Sequence, residues 1–197
     1  MLNQNLYPFL KDLQRNNNRD WFKGRKAEFD VLNASVKEFA NEIFQELVEP
    51  NQLDGHKVFR IYKDVRFSKD KTPYKTHFGI GFHRVKPKYR GGFYLHLEPG
   101  NSFLATGFWQ PNKDDLFRLR KEIEHDHEYF INQVTQKKLV SHWGELKGDQ
   151  LKTCPKGFDK EHEAIKYLRY KQFLFHKKIS DDAPFKTSFK DFMISQF

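Results

Sequence analysis

The chain has 197 residues, a length that suits one domain with a proper hydrophobic core. It contains no run of about 18 apolar residues, so no membrane-spanning helix is predicted. Its first residues lack the basic and apolar stretches of a signal peptide, and the single cysteine, Cys154, excludes an internal disulfide. We therefore expect one domain over residues 1–197, located in the cytoplasm, with no membrane partner.

The net charge of +9 is concentrated in one segment. Residues 54–91 carry 11 Lys or Arg against 3 Asp or Glu, whereas residues 1–53 and 92–146 are slightly acidic. A focused positive charge favours an anionic partner. The partner classes that follow are a phosphate- or carboxylate-bearing small molecule and a nucleic acid.

The first quarter of the chain has helical periodicity. A short helix is predicted at residues 6–13, and a longer one follows, which ends at Pro50. The apolar residues of the longer helix recur every three or four positions and share one face: Phe29, Leu32, Val36, Phe39, Ile43 and Leu47. This face is expected to pack on the core.

The middle of the chain alternates apolar and polar residues, as half-buried strands do. These runs occupy residues 58–68, 77–83, 92–98 and 102–109. Pro99-Gly100-Asn101 is a hairpin signal between the last two runs. Consecutive strands with short turns predict an antiparallel sheet with one apolar and one polar face.

The C-terminal half is predicted to contain three further helices and one further strand. Helices are expected at 113–134, from Asp159 to about residue 170, and at 184–197, with a strand at 171–179. The complete pattern predicts an α+β fold. Its central antiparallel sheet would have one apolar face covered by helices from the N-terminal, middle and C-terminal segments.

The densest polar stretch is RIYKDVRFSKDKTPYK, residues 60–75. On a strand over 58–68, one face would carry Arg60, Tyr62, Asp64 and Arg66. The two guanidinium groups would suit a carboxylate or a phosphate. The alternative is a solvent-facing strand whose ion pairs contribute little.

The predicted ligand site extends from this strand into the lysine-rich loop after it. Its members are Arg60, Tyr62, Arg66, Lys69, Lys71 and Lys75, with a more distant basic pair, Lys166 and Arg169. We expect Arg60 and Arg66 to be at least partly buried in a concave site. The candidates for orienting the ligand or moving a proton are Asp64, Asp70 and Tyr74.

The polar residues of the next two strands would line the same face if the strands pair in chain order. They are Gly79, Gly81, Tyr94, His96 and Glu98. Glycines inside strands let a ligand or another backbone approach closely, or make room for a packed helix. Three strand histidines, His77, His83 and His96, would bind zinc if they converged. Isolated histidines are more common, so neither a metal nor a cofactor is predicted.

Two catalytic motifs are only formally present. Ser68 and Lys71 have the S-x-x-K spacing of serine acyltransferases, but the partner motifs of that chemistry are missing. The lysines are not preceded by the glycines of a P-loop. Whether the protein is an enzyme is therefore left open.

Several motifs together are similar to those of one family. They are DWF at 20–22, the run at 60–75, GFYLHL at 92–97, GFWQP at 107–111 and PKGF at 155–158. Over almost its whole length, the chain resembles the domain of unknown function 2461 family. The resemblance implies a soluble, single-domain protein of a mostly bacterial family. It implies no activity, so no catalytic role is carried over.

Three functions are compatible with these observations. Our main hypothesis is the binding or processing of a small anionic ligand. The second is a nucleic-acid-binding module that uses residues 54–91 as a basic surface with interleaved aromatic residues. The third is a structural or interaction domain in which the motif is an ion-pair network joining sheet to helices, so that replacing Arg66 would strongly destabilise the fold.

Overall fold

The structure is a computed structural model that describes all residues, 1–197. The elements in chain order are α1 (Leu6–Arg15), α2 (Arg19–Gly24), α3 (Lys26–Asn51), β1 (Leu53–Val58), β2 (Phe78–Arg84), β3 (Gly92–Leu97), β4 (Phe103–Phe108), α4 (Lys113–His125), α5 (His127–Val134), α6 (Lys137–Trp143), α7 (Ile165–Leu168), β5 (Phe173–Lys178), a 3₁₀ turn (Ala183–Phe185) and α8 (Phe189–Gln196). None of the helices combines the length and the apolar character needed to cross a membrane.

The five strands form one antiparallel sheet in the order β1-β2-β3-β4-β5. In the register of β2 and β3, Phe78 lies opposite Leu97 and Phe82 lies opposite Phe93. The predicted strands at 77–83, 92–98, 102–109 and 171–179 match β2, β3, β4 and β5 to within two residues at each end. The predicted α+β fold with a central antiparallel sheet is therefore confirmed.

The chain folds into two compact units, residues 1–104 with 178–197, and residues 105–177. In the second unit, helix α4 packs on the segment that contains the start of β5. Ile123 of α4 is fully buried in a cluster that includes Phe173. This cluster is the core of the second unit.

The core of the first unit lies between α3 and the apolar face of the strands. Phe29 of α3 stacks on Phe78 of β2, with 5.9 Å between ring centroids. The C-terminal helix α8 packs on α3 as well, where Phe39 stacks on Phe189 at 5.6 Å. The predicted apolar face of α3 is buried along its length, and the helix ends at Asn51, one residue beyond the predicted stop.

The predicted strand at 58–68 is wrong, since β1 ends where that run begins and a long loop follows. Local hydrogen bonds explain the difference. The carboxylate of Asp64 accepts from the backbone N–H of Arg66 at 3.3 Å, and that of Asp70 accepts from the N–H of Thr72 at 2.9 Å. Such bonds offer the backbone an alternative to a strand ladder, whatever the alternation of side chains.

The helical predictions of the C-terminal half also need correction. The predicted helix at 113–134 is two helices, because the Asp126 side chain accepts from the N–H of Tyr129 at 3.1 Å and begins α5. The predicted helix after Asp159 is reduced to the single turn α7, since that carboxylate accepts from the N–H of Glu161 instead. Helix α6 lies where no element was predicted, and a separate 3₁₀ turn precedes α8.

Candidate functional site

Residues 59–77, here called the basic loop, connect β1 to β2 and are held in place by Tyr74. The Tyr74 side chain is 5% exposed and stacks on Phe22 of α2, with ring centroids 4.0 Å apart. The side-chain amide of Asn17 donates to the Tyr74 carbonyl at 2.9 Å and accepts from its N–H at 3.1 Å. Burial raises the pKa of the Tyr74 hydroxyl. These contacts make Tyr74 the anchor of the loop.

The two carboxylates of the basic loop are engaged by cations of the same loop. Arg66 donates to both oxygens of Asp64, at 2.9 and 2.7 Å, and Lys63 donates to Asp70 at 2.8 Å. The hydrogen bond from Arg66 lowers the pKa of Asp64, and that from Lys63 lowers the pKa of Asp70. Both pairs join loop residues to each other, so they do not form the network between sheet and helices that the third hypothesis requires.

The other predicted ligand-binding residues of the loop are mostly exposed. Arg60, Lys69 and Lys71 lie at the surface, and the Lys71 ammonium donates to the carbonyl of Val65 at 3.0 Å. The side chain of Arg66 is 76% exposed. The expectation that Arg60 and Arg66 are partly buried is therefore wrong, because the segment is a surface loop and not a strand.

The distant basic pair, Lys166 and Arg169, belongs to the second unit. The Arg169 guanidinium donates to the carbonyls of Leu151 and Lys152, each at 2.8 Å, while Lys166 is exposed. Arg169 therefore ties two segments of its own unit together.

Two lysine ammonium groups lie near one ring where β1 meets the basic loop, and the charge of Arg60 acts on one of them. The ammonium groups of Lys57 and Lys75 lie 5.6 and 5.9 Å from the ring centroid of Phe59, and Lys75 donates to the Arg60 carbonyl at 3.0 Å. We call Lys57, Arg60 and Lys75 the cation cluster. None of them forms an ion pair with a carboxylate, although Arg60 helps from a distance to lower the pKa of Asp64. Burial, and then the charges of Arg60 and Lys57, lower the pKa of Lys75.

The polar side of β2 and β3, with Glu98 just beyond β3, is here called the polar face. Gly79 pairs with His96 and Gly81 pairs with Tyr94, as pairing in chain order predicts. The side chain of the predicted 58–68 strand that lies on this face is Phe59, 3.4 Å from a Cβ atom on Gly81, and not one of the predicted polar row. A Cβ atom on Gly79 would lie 2.5 Å from the Tyr94 hydroxyl oxygen, so this glycine makes room for the Tyr94 side chain.

Three side chains of the polar face form a chain of close contacts. The Tyr94 hydroxyl oxygen lies 3.1 Å from His96 Nδ1, and His96 Nε2 lies 3.2 Å from Glu98 Oε2. The ring of His77, one residue before β2, lies 4.2 Å from the His96 ring between centroids. No hydrogen bond joins either ring nitrogen of His77 to the protein. His77 is thus the only member of this group without a polar partner.

Neighbouring residues fix the orientation of this group. Thr76 donates to Glu98 Oε1 at 3.0 Å, and Asn101 donates to Glu98 Oε2 at 2.9 Å. The His96 ring is 8% exposed and stacks on Phe103, with centroids 4.6 Å apart. Both the imidazole and the carboxylate are therefore held in one geometry.

Burial determines the protonation states of the polar face. It lowers the pKa of His77 to about 4, with a further contribution from His96, and it lowers the pKa of His96 despite the neighbouring Glu98. Burial also raises the pKa of Tyr94 to about 12. Although burial acts against ionisation of Glu98, hydrogen bonds from Asn101, His96 and Thr76 lower its pKa. At neutral pH, two neutral imidazoles therefore lie beside one carboxylate.

The three side chains that can hold a metal ion are His77, His96 and Glu98. Their ligand atoms all lie within 4.8 Å of one another. The converging group contains Glu98 instead of His83, which is exposed at the far end of β2. Lys57 of the cation cluster was missed because the predicted strand began after it. Lys57 could have been found from its position two residues before Phe59, since residues at that spacing share one face of a strand.

One family model, described as a conserved hypothetical protein (DUF2461), matches residues 5–197. No curated protein and no solved structure matches the chain. The family match covers nearly every residue, including the basic loop and the polar face. The chain therefore belongs to the DUF2461 family, as its motifs predicted.

Proposed function

We propose that the protein binds a phosphate- or carboxylate-bearing small ligand at the cation cluster. The observation that carries this proposal is the absence of any ion pair at Lys57, Arg60 and Lys75, although the two lysines lie beside one ring and the charges of Lys57 and Arg60 both act on Lys75. In the rest of the basic loop, by contrast, both carboxylates are already taken by Arg66 and Lys63.

Crowded cations repel one another, and this repulsion favours an anion among them. Burial lowers the pKa of Lys75, and the charges of Arg60 and Lys57 lower it further, as expected for cations within electrostatic range of one another. The Phe59 ring compensates only in part, since cation–π attraction at such sites is about 0.5–1 kcal/mol. A bound phosphate or carboxylate would accept charge-assisted hydrogen bonds from the same groups.

The surroundings of the cluster favour a small organic anion. Phe59 is 36% exposed and therefore offers apolar contact next to the charges. Its ring also meets Tyr94 of the polar face edge-on, with centroids 6.2 Å apart. Lys75 is close enough to contribute to the low pKa of His77, after burial and His96. A ligand held by the cluster would lie near the imidazoles, which is the arrangement that processing of the ligand would require.

The test is a calorimetric titration of the full chain at low salt, with inorganic phosphate, pyrophosphate and citrate as separate probes. We expect saturable binding of at least one probe, weakened about fivefold or more by Lys57→Met or Lys75→Met. The matched control is Lys37→Met, which removes the same charge from an exposed position on α3. Saturable binding that Lys37→Met weakens as much as Lys75→Met would contradict the proposal, and so would no binding of any probe.

Exposed aromatic residues favour nucleic-acid binding as the second candidate. Phe67 is 95% exposed with the Arg66 guanidinium 5.9 Å from its ring centroid, and Tyr62 is 45% exposed. Bases stack on such rings while cations hold the backbone. A labelled single-stranded oligonucleotide is therefore a further arm of the titration, at about 50 mM salt. Phe67→Ala should weaken its binding and leave that of phosphate unchanged if the second candidate is correct.

The proposal includes a cytoplasmic location. Its support is the single cysteine, Cys154, which is a free thiol. Free thiols are the rule in reducing compartments.

A further inference from the structure

We propose that His77, His96 and Glu98 form a binding site for a divalent first-row transition-metal ion such as zinc. The ligand atoms of the three side chains already lie within 4.8 Å of one another, and the closest pair, His96 Nε2 and Glu98 Oε2, is 3.2 Å apart. Ligands around a tetrahedral ion with bonds of about 2.0–2.1 Å are roughly 3.4 Å apart. Side-chain rotations that move the ligand atoms by roughly 1 Å therefore bring them to the spacing of a tetrahedral site.

His77 is the side chain of this group that is most available to a ligand. It is half-buried beside His96, yet neither of its ring nitrogens forms a hydrogen bond with the protein. Neither ring nitrogen is closed off from solvent, so both are open to an incoming ion. A metal ion between the two imidazoles would give His77 the polar partner that it lacks within the protein.

The residues behind the three ligands match the support that metal sites require. A ligating histidine holds its second ring nitrogen on another polar group, and a ligating carboxylate is itself hydrogen-bonded. Tyr94 provides the first contact at His96 Nδ1, and Thr76 and Asn101 provide the second at Glu98. The Tyr94 hydroxyl can donate or accept, so it is compatible with the imidazole tautomer that leaves Nε2 free for the metal.

The chemistry of the ligands selects the class of ion. Two imidazoles and one carboxylate suit zinc and its neighbours, whereas magnesium and calcium prefer sites made of oxygen ligands. Three protein ligands also leave one position for water or a substrate, which is the arrangement of catalytic zinc sites. The site therefore resembles a reactive centre more than a structural clamp.

The experiment is a calorimetric titration of zinc chloride into the untagged full chain after chelator treatment. We expect one zinc ion per chain with a Kd of about 1 µM or below. His77→Gln should weaken binding at least about 10-fold, and His96→Gln and Glu98→Gln should do the same. Cobalt(II) should bind at the same site and give the intense visible absorption of four-coordinate cobalt, while magnesium should not bind.

His83→Gln is the matched control, because it removes an exposed imidazole of the same strand and should leave zinc binding unchanged. His77→Gln is the decisive variant, since His77 forms no hydrogen bond whose loss would disturb the fold. Circular dichroism of the metal-free variants checks folding. The inference is overturned if the parent binds no stoichiometric zinc, or if folded His77→Gln binds it as tightly as the parent. The titration contains no phosphate or carboxylate probe, so its outcome is independent of the anion proposal.

Discussion

The basic loop and the polar face lie in the same compact unit, but they differ in the exposure and pairing of their polar groups. The basic loop holds six Lys or Arg and two Asp within residues 59–77, and its ion pairs are exposed. The polar face holds one carboxylate, Glu98, and few other charged groups, yet His96 beside it is 8% exposed. The loop pairs both of its carboxylates with its own cations, whereas the polar face leaves His77 without a polar partner.

This difference shows why charge density alone is a poor guide to a site. Exposed ion pairs form and break at little cost in water, so their geometry is weakly constrained. Buried polar groups must be satisfied, so each one restricts its neighbours. The residues to examine are therefore those that lack a partner within the protein or are held in one geometry. They are the unpaired cation cluster and the histidines of the polar face.

Replacing Tyr74, the anchor of the basic loop, should give the largest loss of stability. Tyr74→Ala removes a ring stacked on Phe22 and is expected to lower the free energy of unfolding by about 3 kcal/mol, as other buried aromatic truncations do. Urea denaturation measures this loss. Tyr62→Ala is the matched control, because Tyr62 is the 45% exposed partner of Tyr74 in an isolated bridge.

If ion pairs held the basic loop in place of Tyr74, neither tyrosine variant would lose much stability. The structure predicts that Tyr62→Ala costs under about 1 kcal/mol, as exposed positions do. Equal and small losses for the two tyrosine variants would show that the anchor has been assigned to the wrong residue. Hydrogen exchange of the loop amides adds a second readout, since Tyr74→Ala should release them first.

An intermediate effect is expected from the glycine beneath Tyr94. Gly79→Ala places a methyl group 2.5 Å from the Tyr94 hydroxyl oxygen, and overpacking of this kind costs about 1–3 kcal/mol. The shift of Tyr94 should also weaken zinc binding, because Tyr94 orients His96. Gly81→Ala is the matched control, with its nearest neighbour, Phe59, at an ordinary 3.4 Å.

Urea denaturation and zinc calorimetry together measure this prediction. Because both substitutions add the same methyl group to the same strand, intrinsic strand preference cancels in the comparison. If Gly79→Ala and Gly81→Ala have equal stability and equal zinc affinity, Tyr94 does not have the positioning role given to it here.

Much of the fold could be predicted because strand alternation and helix periodicity report burial directly. Strands β2 to β5 and the buried face of α3 followed from these patterns. The same alternation misled the prediction at residues 58–68, because the Asp64 side chain binds the backbone locally within that run. Period two therefore predicts a strand only where no side chain competes for the backbone N–H groups.

The site was predictable in part. Tyr94, His96 and Glu98 were placed on one face with the strand glycines, as the structure has them. The meeting of His77 with Glu98 depends on the register of β2 and β3, in which Phe78 lies opposite Leu97. The connection between these strands allows several registers, so the sequence alone does not show that His77 meets Glu98. His83 could have been excluded, since six residues of extended chain separate it from His77 by about 20 Å.

The smallest effect should come from the residue that the sequence made most prominent. Arg66 is 76% exposed and is paired only with Asp64, two residues away. Arg66→Met should therefore leave the urea midpoint of unfolding unchanged within error, because exposed pairs contribute little. A large drop in that midpoint would revive the structural hypothesis, in which the motif holds sheet and helices together. Unchanged stability, combined with a loss of phosphate binding in Lys75→Met, would instead separate the role of the cation cluster from that of the loop around it.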